Sequence, residues 1–553
     1  MRTSHTVSSY LIDKLYSLGV RHIFGVPGDY VLGFFHALER SSLRIINTCD
    51  EQGAGFAADA YARVNGLGVV CITYCVGGLK VANPTAQAFA EKSPVIVISG
   101  APGTNERIKT PLLHHRVRDF DTQLKVFEQL TVASTVINNP QTACREIDRV
   151  LHEALRYKRP VYIELPRDML SANVTLPHHP REKIEPGDAD GLQEALNEAT
   201  DMINAAKKPV IIAGVELHRF GLQDTLLKLL EHTGIPIVAT LLSKSVIREN
   251  HPQYLGVYEG AMCREELRRY VESSDCLILL GALMTDIDLG VFTAHLEQRR
   301  SIYVSSEKLL IRYHAYEGMS MEDFIHGLLK VNIRRREGID IVKPPQPQQP
   351  TPAPVSGKQL TVKYLFQSLN DFLDDNTVVI ADPGEAMFAA ADMTIHGETE
   401  FLAPAYYTSM GFALPASIGV QMAKPELRPL VLVGDGAFQM SGMELGTIAR
   451  FHLNPIIVVL NNQGYGTERP MLDGTFNDIP LLRYSRMPEV FNAGRGFNVE
   501  TEDQLEEALK EARKYIEGFC ILDVHLNPED RSPALQRLSD ALGKRVKAKL
   551  KNQ

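Results

Sequence analysis

Short apolar runs rich in branched residues recur along the chain, and stretches with helical spacing separate them. In the first 175 residues, HIFGVPG, GVVCITY and PVIVISG read as strands, whereas VSSYLIDKLYSLGV is amphipathic at the helical period. PVYIELPRD, Pro160 to Asp168, closes this block. From about residue 190 to 340 the texture repeats, with KKPVIIAG, IPIVATL, DCLILLG and SIYVSS as strands. A third block, about 358 to 553, contains Pro429 to Val433 (PLVLV) and Pro455 to Leu460 (PIIVVL), which read as strands buried on both faces. Between them, Met440 to Phe451 places apolar residues three and four apart and predicts a helix. Such a strand–helix–strand unit crosses over right-handed. The pattern predicts an α/β chain of three doubly wound, parallel-sheet domains, spanning 1–175, 190–340 and 358–553. Residues 343–357 contain KPPQPQQPTPAP, too rich in proline for helix or sheet interior, and read as a stiff linker.

Composition narrows the function classes. A chain of 553 residues is too long for one core, which agrees with several domains. The net charge of −9 and pI near 6.0 leave no basic excess to neutralise nucleic-acid phosphates. The basic cluster Lys544 to Lys551 (KRVKAKLK) reads as a solvated helix face. No apolar run approaches the roughly 18 residues of a membrane span, and no signal-peptide pattern opens the chain. Seven cysteines without a C-x-x-C suggest a reducing compartment, with Cys71 and Cys75 in the core. The expectation is a soluble, cytoplasmic protein.

The chemistry gathers where strands end. PLVLV runs into Gly434-Asp435-Gly436, and PIIVVL runs into Asn461-Asn462. Both sit at the carboxyl ends of parallel strands, where open α/β sheets bind ligands. Carboxylate and amide oxygens are hard donors suited to Mg²⁺, which takes further oxygens from water and a substrate phosphate. Asp435 and Asn462 supply two such oxygens, and a carbonyl in the following turn can supply a third. Gly434, Gly436 and Gly464 let backbone N–H groups approach a diphosphate. GDG alone is a common strand-to-turn sequence; its pairing with NN at the end of the next strand carries the reading.

With 24 residues between GDG and NN, Ala437 to Leu460, the chain resembles the thiamine diphosphate-dependent enzymes over essentially its whole length. The resemblance implies the thiamine diphosphate-binding fold, in the order pyrimidine-binding, central and diphosphate-binding domain. It implies that Asp435, Asn462 and the carbonyl of Gly464 hold Mg²⁺. Gly384, Gly434, Gly436, Ala437, Asn462, Gly464 and Tyr465 then lie along the cofactor, with Met410 wedged between its two rings. Glu51, in INTCDEQGAGFAADAYAR, matches the glutamate that bonds the pyrimidine ring. A carboxylic acid there favours the imino tautomer, whose nitrogen removes the thiazolium proton. Because two subunits share each cofactor in this family, a homodimer or homotetramer is implied.

Within the family, the chain resembles the non-oxidative 2-oxo acid decarboxylases acting on pyruvate, indolepyruvate, phenylpyruvate and branched-chain acids. VPGDY supplies Asp29, TPLLHHRV supplies His114 and His115, and GYGTERP supplies Glu468. Seventeen histidines in 553 residues give about half an adjacent pair by chance, so position carries the weight here. These acids and imidazoles are expected to crowd one apolar cavity and do the proton transfers that follow loss of CO₂. Glu468 is expected near the departing carboxylate. The acyl group is expected among Ile287, Met387, Phe388 and Thr467, with the segment from about Ser532 closing the cavity. That pocket favours branched, longer-chain or aromatic 2-oxo acids.

Three departures from the family pattern touch the pocket. TYCVGGLK, Thr73 to Lys80, has Cys75 where glycine is usual and Lys80 where a small polar residue is common. RPMLDGTFNDIP is about two residues shorter than in similar chains, and Thr467 stands where Ile or Val is frequent. Benzoylformate decarboxylase, a carboligase of the acetohydroxyacid synthase kind and a catalytically silent binding protein remain alternatives. The His pair and Glu468 favour the decarboxylase.

Overall fold

The computed structural model describes residues 5–108, 110–176, 188–336, 351–395 and 400–540. Residues 343–350 of the expected linker and the basic stretch Lys544 to Lys551 lie outside the described residues. Three sheets follow one another along the chain. The first contains β1 (His22–Gly25), β2 (Arg44–Asn47), β3 (Gly68–Ile72), β4 (Val95–Ala101), β5 (Ala133–Val136) and β6 (Val161–Pro166). All are parallel, in the order β2-β1-β3-β4-β6-β5.

The second sheet contains β7 (Pro209–Ala213), β8 (Ile237–Ala239), β9 (Tyr254–Val257), β10 (Cys276–Leu280), β11 (Ser301–Val304), β12 (Leu309–Ile311) and β13 (His314–Tyr316). Its order is β13-β12-β11-β10-β7-β8-β9, and the β11–β12–β13 edge is antiparallel rather than parallel as expected. Only Arg312 and Tyr313 join β12 to β13, with Arg312 at φ +55°. Two residues make a hairpin, whereas a parallel connection needs a crossover of about a dozen residues or more.

The third sheet contains β14 (Thr377–Ala381), β15 (Phe401–Leu402), β16 (Arg428–Gly434), β17 (Ile456–Asn461), β18 (Arg495–Val499) and β19 (Cys520–His525). It is parallel, in the order β15-β14-β16-β17-β19-β18. The predicted Met440 to Phe451 helix is instead two pieces, Asp435–Ser441 and Leu445–Arg450, joined by a 3₁₀ turn at Gly442–Glu444. Helix therefore begins at Asp435, the residue that leaves β16.

The first and third blocks meet through two helices. Glu51–Asn65 is capped by Asp50, whose side chain accepts from the Gln52 N–H at 2.7 Å, and ends at Gly66 with φ +89°. It is rich in small residues, and so is its partner, Ala413–Ala423. A Cβ on Gly419 would lie 2.0 Å from the Ala57 carbonyl oxygen, so the backbones meet where no side chain fits. Phe56 and Phe412 close the contact edge to face, with centroids 5.7 Å apart. One apolar cluster runs from Phe24 and Val70 of the first block to Val433 and Ile457 of the third.

Polar ties join the blocks as well. Arg63 reaches the Ala403 carbonyl at 3.2 Å, and Glu91 accepts from the N–H groups of Tyr406 and Tyr407, both at 2.9 Å. Lys92, buried, bridges Glu216 at 2.6 Å and Glu307 at 2.8 Å in the second block.

The tight helix crossing sets a test. Alanine normally favours helix over glycine by about 0.5–1 kcal/mol, yet Gly419→Ala should destabilise by roughly 1–3 kcal/mol, because its methyl has no room. Urea unfolding of the two proteins measures this, and a stabilised variant would refute the close approach.

Candidate active site

β14 and β16 are neighbours whose helices leave at the carboxyl ends, so the loops after them open one crevice. Asp435, the first residue after β16, is 2% exposed. Its Oδ1 accepts from the Gly436 N–H at 2.8 Å, and its Oδ2 is buried without a partner. Burial pushes its pKa up to about 6, against the backbone N–H groups of Gly436, Gln463 and Gly464. An orphaned, buried carboxylate oxygen costs free energy that a cation would recover. The fit to Mg²⁺ is therefore chemical as well as positional.

The two asparagines divide their work. Asn461 Nδ2 donates to Asp523 Oδ1 at 2.8 Å and ties β17 to β19. Asn462, half-buried, begins the turn beside Asp435, and Gln463 carries it at φ +58°. Gly464 pairs with Asp478, and a Cβ there would lie 2.7 Å from the Asn477 carbonyl. A Cβ on Gly436 would meet the Tyr465 ring at 2.7 Å. These glycines allow backbone and ring to close around Asp435. Ala437, one residue on, is buried.

The loop after β14 adds two acids that the sequence reading missed. Asp382, buried and pushed by that burial to about pKa 7, accepts from the N–H groups of Gly411 and Ala413 at 2.8 Å each. It fixes the turn carrying Met410, half-buried against the core shared by the blocks. Gly384 has φ +105°, open to glycine, and a Cβ there would lie 3.3 Å from Thr467 Oγ1. Glu385, pushed by burial to about pKa 7, accepts from the Ser532 N–H at 3.0 Å. The segment expected to close the pocket thus docks on this loop. Asp382 follows a strand end, as Asp435 does, and that position was its available signal.

Ile287, Met387 and Phe388 share one apolar cluster. Met387 is fully buried in it, so it backs the crevice rather than facing open space.

In the first block, Asp29, His114 and His115 come together. His114 Nε2 and Asp29 Oδ2 are 2.6 Å apart, and one ligand atom from each of the three lies within 4.8 Å of the others. Tyr30 stacks on the His114 ring at 4.9 Å and donates to its carbonyl at 3.3 Å. His115 sits at φ +66°, and its Nδ1 is buried without a partner. The expected apolar cavity is not formed within one chain: Asp29 and His114 side chains are 40% and 59% exposed. Glu468 is exposed as well, and no hydrogen bond or ion pair among the described residues joins it to this cluster. The reason is topological, since Glu468 follows β17 in the third block and the cluster sits on loops of the first.

Glu51 is the first residue of its helix and buried. Lys80 Nζ lies 2.7 Å from Glu51 Oε2 and also contacts Asp50. Glu444 accepts from the N–H groups of Cys49 and Asp50 at 3.2 and 3.1 Å, which pins the Glu51 corner to the third block. That pin lies beyond the far end of the Asp435–Ser441 helix, seven residues or about 10 Å long. Within one chain, no hydrogen bond or ion pair among the described residues joins Glu51 to Asp435. Cys75, the departure from glycine, sits at φ +52°, with its N–H on Gln123 Oε1 at 2.6 Å.

Known families and known proteins both match this chain. Residues 5–123 match the family "Thiamine pyrophosphate enzyme, N-terminal TPP binding domain". Residues 196–313 match its central domain, and 382–524 its C-terminal TPP binding domain. The chain is 35% identical over 508 residues to an indole-3-pyruvate decarboxylase of Azospirillum brasilense, covering 91% of this chain and 92% of that one. It is 32% identical over 534 residues to an alpha-keto-acid decarboxylase of Mycobacterium leprae, covering 94% and 92%. A probable pyruvate decarboxylase of Schizosaccharomyces pombe is 30% identical over 542 residues, covering 96% and 94%.

The raised pKa of Asp435 has a definite sign. The folded protein holds this proton up to about pH 6, whereas the unfolded chain loses it near the ordinary aspartate value. Stability of the cofactor-free protein therefore falls as pH rises from about 4 to 6 and stays lower above that. Asp435→Asn should stabilise that protein by roughly 2–3 kcal/mol at pH 7.5 and hardly at all near pH 4. Calorimetric melting at both values decides it; equal shifts at the two pH values would refute the assignment.

Proposed function

The chain belongs to the thiamine diphosphate-dependent 2-oxo acid decarboxylases, carboxy-lyases that release CO₂, and we propose how its own residues serve that reaction and which acids it takes. Bound thiamine diphosphate supplies the electron sink for the bond to the departing carboxylate. Asp435 Oδ2, Asn462 and the Gly464 carbonyl would hold Mg²⁺. Gly384, Gly434 and Gly436 would leave room for the diphosphate, and Met410 would support the cofactor's bent form. Glu51 holds a proton toward the pyrimidine ring.

The observation that carries the decarboxylase reading is the Asp29–His114–His115 cluster. A carboxylate 2.6 Å from His114 Nε2 orients that ring. A proton shared between that carboxylate oxygen and the imidazole nitrogen would be available for the protonation that follows loss of CO₂. His115, with Nδ1 unpartnered, is the second imidazole able to take or give one. In this reading Glu468 would lie near the departing carboxylate and favour its exit. A carboligase has less need for such a cluster.

Two copies of the chain complete each site in this reading. Glu51 and Asp435 share no hydrogen bond or ion pair among the described residues of one chain, and the Asp29–His114 pair lies exposed. A partner supplying its third block would cover the cluster and bring Glu468 and Asp435 toward it. Dimer and tetramer both satisfy this.

The acids favoured are branched, longer-chain or aromatic. Thr467, half-buried beside Gly384, is smaller than isoleucine and leaves the crevice wide there. Apolar pockets rank substrates by only about 1–3 kcal/mol per methylene, so pyruvate is disfavoured rather than excluded.

Assayed with thiamine diphosphate and Mg²⁺, 4-methyl-2-oxopentanoate or phenylpyruvate should give higher kcat/KM than pyruvate. Thr467→Ile should move that ratio toward pyruvate by about tenfold. Pyruvate as the best wild-type substrate would refute the pocket reading. Glu51→Gln should nearly abolish turnover yet keep cofactor affinity within about tenfold, since metal and diphosphate contacts carry binding. Turnover at the wild-type level would remove Glu51 from its role.

A further inference from the structure

Lys80 occupies a position that the reaction above does not explain. It is the third residue of the Gly78–Ala90 helix, and its side chain reaches across to the start of the Glu51 helix. Its ammonium contacts Asp50 Oδ2 and lies 2.7 Å from Glu51 Oε2. Hydrogen bonds to Asp50 and Glu51 hold the Lys80 pKa above its ordinary value, so it stays charged at neutral pH. Among the described residues, Lys80 is the one side-chain partner of the Glu51 carboxylate. Glu51 is buried, whereas Lys80 is half-exposed.

We propose that Lys80 is a positioning residue that latches the Glu51 side chain in the cofactor-free protein, and that Asp50 keeps the lysine when Glu51 turns to the pyrimidine ring of thiamine diphosphate. The inference rests on the role given to Glu51 above. A carboxylate oxygen engaged by an ammonium is not available to a ring nitrogen, so cofactor entry requires that bond to open. Asp50 makes the exchange modest: it already touches the ammonium, and its other oxygen, Oδ1, caps the helix through the Gln52 N–H. The lysine thus loses one of two partners rather than both. Opening a half-exposed ion pair changes an equilibrium by a few-fold to about tenfold, and salt screens it. Lys80 accordingly makes cofactor affinity lower, and more sensitive to ionic strength, than Glu51 alone would.

Titration calorimetry of thiamine diphosphate, with excess Mg²⁺, into cofactor-free protein tests this without reading activity. Lys80→Met should tighten Kd about three- to tenfold at ~20 mM salt, with the gain shrinking at ~500 mM. Lys80→Arg should restore wild-type behaviour. Asp50→Asn preserves the helix cap and should weaken binding, the opposite direction, by leaving the lysine to Glu51 alone. In the Glu51→Gln background, Lys80→Met should change Kd by less than about twofold, because the coupled partner is gone. A Lys80→Met protein that binds no tighter than wild type at low salt overturns the latch while leaving Glu51's role intact. Wild-type turnover by Glu51→Gln overturns that role and the latch with it.

Discussion

The guanidinium of Arg63 closes on the carboxylates of Asp59 and Glu91 at 2.8 and 2.7 Å, with all three side chains nearly inaccessible to water. Gln87 donates to Asp59 at 2.8 Å, and the remaining acceptor and donor capacity reaches the third block: Arg63 to the Ala403 carbonyl, Glu91 to the Tyr406 and Tyr407 N–H groups. Losing one partner of such a buried group strands a charge at a cost of about 3–5 kcal/mol. The network therefore has one geometry or fails. Arg63 sits near the end of the helix that Glu51 begins, and Tyr406 and Tyr407 lead directly into the turn bearing Met410. One buried cation thus sets the distance between the Glu51 helix and the Met410 turn. The close contact of Ala57 with Gly419 and the ion network hold the two helices in the same register.

Burial alone does not separate ligand-binding acids from structural ones. Asp382 and Asp435 are both buried after adjacent strands, and burial raises both, to about 7 and about 6. They differ in hydrogen bonding. Both oxygens of Asp382 are met by backbone N–H groups of the Met410 turn, so the residue is spent on architecture. Asp435 keeps one oxygen unmet, a defect that a folded protein tolerates where a ligand corrects it. The same logic distinguishes Asn461, bound to Asp523, from Asn462.

These acids and imidazoles stand in three places that no hydrogen bond or ion pair among the described residues joins: Asp435, Glu51, and Asp29 with the His pair. Each place is rigid where it must be. The Glu51 corner is pinned by Glu444, the His pair by Tyr30, and the Asp435 turn by its glycines.

Much of the fold was legible in the sequence because parallel strands buried on both faces leave continuous branched runs. PLVLV and PIIVVL became β16 and β17, and the strands expected in the first block stand where their runs lie. GDG and NN were legible for the same reason, since they mark where those runs stop. The break in the helix after Asp435 and the antiparallel edge at β12 and β13 were less so: both depend on short-range geometry at Gly442 and Arg312 that hydrophobic spacing does not encode. Nor did the sequence separate Asp382 from any other acid after a strand, pair Lys80 with Glu51 across two helices, or leave Glu468 apart from the His pair. Those relations join residues from tens to hundreds of positions apart, and no local period records them. Chain order determined which residues could serve the chemistry; the packing of helix on helix decided which of them meet, because hydrogen bonds and ion pairs act over about 3 Å and only the tertiary structure sets such distances.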